Sequence, residues 1–69
     1  MDKRISTLLD EVRRARVDAF RTRRALLSST DAVAVDRLSA FADALDRKAE
    51  TLGKYAARLL SLEHSLKLH

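Results

Sequence analysis

The sequence predicts an all-α fold, an antiparallel two-helix hairpin of coiled-coil type, and three observations point to it. The chain has 69 residues with no proline and a single glycine. Leucine recurs at every seventh position through the second half, at Leu38, Leu45, Leu52, Leu59 and Leu66. One cluster of short polar residues, Ser28-Ser29-Thr30-Asp31, interrupts an otherwise helix-prone chain.

The first helix is expected over about residues 3–27. Its apolar residues Ile5, Leu8, Leu9, Val12, Ala15, Ala19 and Leu26 are mostly three and four apart, which gathers them on one helix face. As a heptad, Ile5, Val12, Ala19 and Leu26 share one position, and Leu8, Ala15 and Thr22 share the other inward one. Val17, Phe20 and Leu27 point elsewhere, so this helix is expected to meet more than one neighbour.

The turn is expected at 28–31. Short polar side chains compete for backbone hydrogen bonds and disfavour a helix interior, yet they favour helix N-caps. Ser29, Thr30 or Asp31 could therefore start a second helix. Because no glycine or proline enforces the break, a kinked continuous helix is the competing reading.

The second helix is expected over about residues 31–66. Four positions after Leu38, Leu45 and Leu52 stand Ala42, Ala49 and Ala56, while Glu63 follows Leu59. Leucines fill a seam, and alanines let a facing helix approach closely. Phe41, Tyr55 and Leu62 flank the leucines and are expected to widen the buried face, with the Tyr55 hydroxyl at its rim. Gly53 could cap a shorter helix and give a three-helix bundle. The leucine phase passes Gly53 without slipping, however, which favours one helix at a cost of roughly 1 kcal/mol relative to alanine. That helix outruns the first, leaving Leu59, Leu60, Leu62, Leu66 and Leu68 without intramolecular cover. Assembly into a four-helix bundle is the expected remedy.

Composition narrows the function. A single domain spanning residues 1–69 is near the size at which one core barely suffices, and without cysteine neither disulfides nor thiolate metal sites can help. Association remains. Apolar residues make up 46% of the chain, against disorder, but charges interrupt every apolar run, so no membrane span is expected. The opening Met1-Asp2-Lys3-Arg4 lacks the apolar core of a signal peptide, which predicts a cytoplasmic protein.

Chemistry is sparse. His64 and His69 are five apart and do not share a face as a metal pair would. No serine sits in a nucleophile motif, and Gly53-Lys54 lacks a phosphate-cradling loop. Asp43, Asp46 and Glu50 stand near Arg47 and Lys54, which reads as ion-paired helix surface rather than acid–base catalysis. No enzyme, cofactor, metal site or small-molecule substrate is expected.

Charge is lopsided. Residues 1–27 hold eight basic and four acidic residues, so the net +4 of the whole chain resides there. Arg13, Arg14, Arg16, Arg21, Arg23 and Arg24 form a cluster that could contact an anionic partner, since guanidinium forks suit phosphate and carboxylate. The plainer reading is a solvated face braced by the helical pairs Asp10–Arg14, Asp18–Arg14 and Asp18–Arg21. The cluster reads as lacking stacking aromatics, which weighs against single-stranded nucleic acid. Basic-zipper transcription factors also place basic residues before a leucine heptad, but this chain has no asparagine and carries Ser28 ten residues before Leu38, where they carry a basic residue.

The function expected is therefore a small non-catalytic protein–protein module: an adaptor, small chaperone or regulator. It would act as a homodimer or on a helical partner, through Leu38, Ala42, Leu45, Ala49, Leu52, Ala56, Leu59 and Leu66. A dimeric nucleic-acid-binding hairpin using the arginine cluster is the alternative.

Overall fold

A computed structural model describes residues 3–67 and shows two α-helices, α1 (Lys3–Leu26) and α2 (Ala32–Lys67), with no strand among the described residues. Leu68 and His69 lie outside the described residues. The helices form a hairpin. Arg23 meets Asp43, Arg16 meets Asp46, and Lys3, Arg4, Thr7 and Leu8 line one groove with Tyr55 and Leu59.

The break falls where the polar cluster places it, which removes the continuous kinked helix. Leu27, Ser28 and Ser29 each donate a backbone hydrogen bond three residues back, at 3.1, 3.3 and 3.2 Å, a tightened last turn that ends α1 one residue short of the expected Leu27. Asp31 is the N-cap of α2, rather than its first helical residue. Its carbonyl accepts the Val35 N–H at 2.9 Å, and its side-chain Oδ1 accepts the Val33 N–H at 3.0 Å. Helix α2 continues unbroken through Gly53 to Lys67, so the three-helix alternative is also removed. No glycine adopts positive φ, and a Cβ at Gly53 would meet nothing within 4 Å.

The core is narrow and built mainly of alanine. Among the described residues Ile5, Ala15, Ala19, Ala42, Ala49 and Ala56 are buried, and Ile5 is the only large one of these. Because these alanines are the innermost side chains, the leucines at the neighbouring heptad position, Leu38, Leu45, Leu52 and Leu59, are only half-buried. The alanines thus sit where the facing helix approaches, as expected, while the leucines stand at the flank of the contact instead of filling it. Thr22, at an inward position of α1, turns its Oγ1 back to the Asp18 carbonyl at 2.7 Å, so the half-buried hydroxyl is satisfied locally.

Two substitutions separate packing from propensity. Ala49→Leu should force the helices apart and destabilise by about 1–3 kcal/mol. Gly53→Ala fills open space and should stabilise by about 1 kcal/mol. Urea unfolding followed by circular dichroism checks both; a neutral Ala49→Leu would show that the alanine contact does not set the helix spacing.

Candidate functional site

A seven-residue repeat on a helix lays its side chains in lines. On α2 the line Ala42, Ala49, Ala56 faces α1 and is fully covered. Beside it runs the leucine line. Beyond that lies Phe41, Lys48, Tyr55, Leu62, each seven residues from the next. Leucines 45, 52, 59 and 66 alternate with this outer line at spacings of three and four, so α2 carries a second apolar seam beside the one that holds the hairpin. Phe41, Tyr55 and Leu62 each leave more than half their surface in solvent. They extend an open face rather than widening the buried one, because the close alanine contact leaves no room to draw them in.

The expected interface residues therefore divide. Ala42, Ala49 and Ala56 are consumed within the hairpin, and Leu38, Leu45, Leu52 and Leu59 straddle its edge. Leu66 is 77% exposed. Leu59, expected to lack cover, is half-buried beside Leu8, whereas Leu60, Leu62 and Leu66 are exposed. At 36 residues against 24, α2 outruns α1 by about 18 Å at 1.5 Å per residue. Glu63 falls where the alanine line would continue, and forms a 3.5 Å ion pair with Lys67.

The open face has charged borders. Glu11, Arg14, Ala15 and Asp18 of α1 line one groove with Leu45 and Lys48 of α2. On α2, the outer line and the two lines beyond it carry Arg37, Arg47, Lys48, Lys54 and Arg58 and no acid. Neither Glu11, Asp18 nor Lys48 closes an ion pair within 4.0 Å among the described residues.

The opposite border is where the hairpin pairs its charges. Arg23 spans two carboxylates, with Nη2 donating to Asp43 Oδ1 at 2.9 Å and Nη1 reaching Asp46 Oδ2. Arg16 Nη1 lies 3.8 Å from Asp46 Oδ1. Hydrogen bonds to Asp46, then to Asp43, raise the Arg23 pKa. The expected pairs Asp10–Arg14, Asp18–Arg14 and Asp18–Arg21 are not formed; arginines reach across the hairpin instead. Glu50 pairs with Lys54 at 3.2 Å.

Phe20 points away from the hairpin contact, as expected, but it stands among the arginines, so the cluster does not lack an aromatic. Phe20 is 62% exposed, and it lines a shallow groove with Arg16, Val17, Arg21 and Arg24. The Arg24 guanidinium sits 6.0 Å from the ring centroid, at the limit of a cation–π contact. The signal was present, since Arg16 and Arg24 stand four residues on either side of Phe20. Arg13 and Arg14 are exposed on the same helix, so the cluster splits between hairpin pairing and an outward face.

Among the described residues no group of three His, Cys, Asp or Glu side chains could hold a metal ion, and no helix is long and apolar enough to cross a membrane. No protein-family model, curated protein or solved structure matches the chain.

Asp46 is the acid shared by Arg16 and Arg23. Asp46→Ala should lower the thermal midpoint at low salt more than Asp36→Ala does. The difference should shrink at 1 M salt, where the screening length is about 3 Å. Equal losses at low salt would show that the crossing pairs contribute nothing to the hairpin.

Proposed function

We propose that this chain is a non-catalytic helix-docking module, an adaptor, small chaperone or regulator. Its antiparallel hairpin offers the second seam of α2 to further helices. The observation that carries the reading is the regular alternation of half-buried leucines with exposed Phe41, Tyr55 and Leu62. An unpartnered heptad seam of this kind accepts the knobs of another helix in the holes between its own side chains. An apolar face broken on its outer line by Lys48, on so small a chain, supports an interaction surface rather than scattered exposed leucines. Knobs-into-holes docking needs no reactive group, and the reading uses none.

Photo-crosslinking tests this reading in the native cell. A photoreactive residue at position 55 or 62 should give discrete adducts, while one at Ala57 or His64, across the helix, should give none. Adducts from all four positions alike, or from none, overturn the docking face.

Phe20 among its arginines favours a second reading, an anionic nucleic-acid contact on the outer face of α1. Stacking on one aromatic with guanidiniums at its rim suits an exposed base and its phosphates. Affinity for a single-stranded oligonucleotide should then fall steeply with salt and drop on Phe20→Ala or Arg24→Glu. Binding unchanged by both substitutions rules this contact out.

A further inference from the structure

The hairpin exposes more surface than its mass accounts for. A compact monomer of 7.8 kDa exposes about 4,400 Å², whereas this chain exposes 5632 Å². The surplus of about 1,200 Å² exceeds the roughly 800 Å² that each partner gives to a standard interface. Shape agrees: the radius of gyration is 16.2 Å, against about 11 Å for a compact domain of this length.

Charge indicates what covers the face. At mid-length its α1 border carries Glu11 and Asp18 with Arg14, and its α2 border carries Lys48. Among the described residues Glu11, Asp18 and Lys48 form no ion pair within the hairpin, and Lys3 and Arg4 lie further along beside Tyr55 and Leu59. A face whose mid-length sets the Glu11 and Asp18 carboxylates of one helix beside the Lys48 ammonium of the other complements a copy of itself turned about. We infer that a second copy of this chain occupies the open face, related by a two-fold axis parallel to the long axis of the hairpin, so that each α1 lies on the partner's α2. This rests on the docking reading above and names its occupant.

Two features of the hairpin select that axis. Glu11 and Asp18, about 10 Å apart along α1, line one groove with Lys48. A two-fold axis along the hairpin preserves height and exchanges the helices, which sets Glu11 and Asp18 against the partner's Lys48, twice over by symmetry. Arg14 in the same groove stays at the outer rim, where water screens it. A perpendicular two-fold axis would instead lay α2 on the partner's α2 and bring the basic border of each copy together. The overhang makes the same choice. With the parallel axis both α2 ends project from the same end of the dimer, where Leu62 and Leu66 meet their counterparts across the axis. With the perpendicular one they project from opposite ends and stay bare.

Light scattering behind a sizing column, on the full chain at moderate salt, reads the mass. The expected result is twice 7.8 kDa. Lys48→Glu alone, and Glu11→Lys with Asp18→Lys, should each weaken the dimer at least about tenfold, because like charges then face each other. An equal mixture of the two variants should restore a mixed dimer. Both variants alter exposed side chains, and circular dichroism confirms that they remain helical. A dimer indifferent to Lys48→Glu, or variants that fail to rescue each other, overturns the pairing. A helical monomer at all concentrations overturns the second copy. In that case adducts from positions 55 and 62 to a different protein leave the docking reading standing, and their absence removes it as well.

Discussion

The close approach of α1 and α2 along an alanine line is the constraint on which the rest of the structure depends. Ala42, Ala49 and Ala56 lie against a helix whose own innermost residues include Ala15 and Ala19. Side chains this small let the two backbones approach near the lower end of the usual range of helix spacings. They also bury little apolar area each, so the contact gives tight geometry with a modest hydrophobic return. Among the described residues Ile5 is the only large side chain fully enclosed.

That economy inside the hairpin determines what is left outside. A leucine seam packed face-on would have enclosed Leu45, Leu52 and Leu59. With alanine at the centre, the leucines are rotated to the edge and shared between an inner and an outer seam. Phe41, Tyr55 and Leu62 then stand wholly on the outer one. The exposed apolar face is thus a consequence of the alanine contact, and the same feature that tightens the hairpin leaves it incomplete as a core. A chain this small has few other ways to compensate, having neither disulfide nor cysteine-bound metal.

Charge follows the same division. On one border, Arg16 and Arg23 cross to Asp46 and Asp43, which ties the register of the two helices together. Such exposed pairs each add little stability, and they join particular positions of the two helices. On the other border Glu11 and Asp18 of α1 and Lys48 of α2 form no ion pair among the described residues, whereas Lys54 pairs with Glu50. The arginines of α1 serve neither border alone, and Arg21 and Arg24 gather around Phe20 instead.

The two helices, the polar turn between them, the capping role available to Asp31 and the continuity of α2 through Gly53 are legible in the chain alone. These are local properties: propensity, capping chemistry and a seven-residue phase are all written within a few turns of chain. Only the tertiary structure decided which line of α2 turns inward. Leucine and alanine repeat with the same period, so periodicity fixes the existence of a seam but not the rotation of the helix about its axis. That rotation is set by the opposing surface of α1, through Ala15, Ala19 and the reach of Arg16 and Arg23. The same reason hid the ion pairs. Spacings of three and four suggest partners within one helix, whereas Asp43 and Asp46 are twenty or more residues from the arginine they share, and only the fold brings them together.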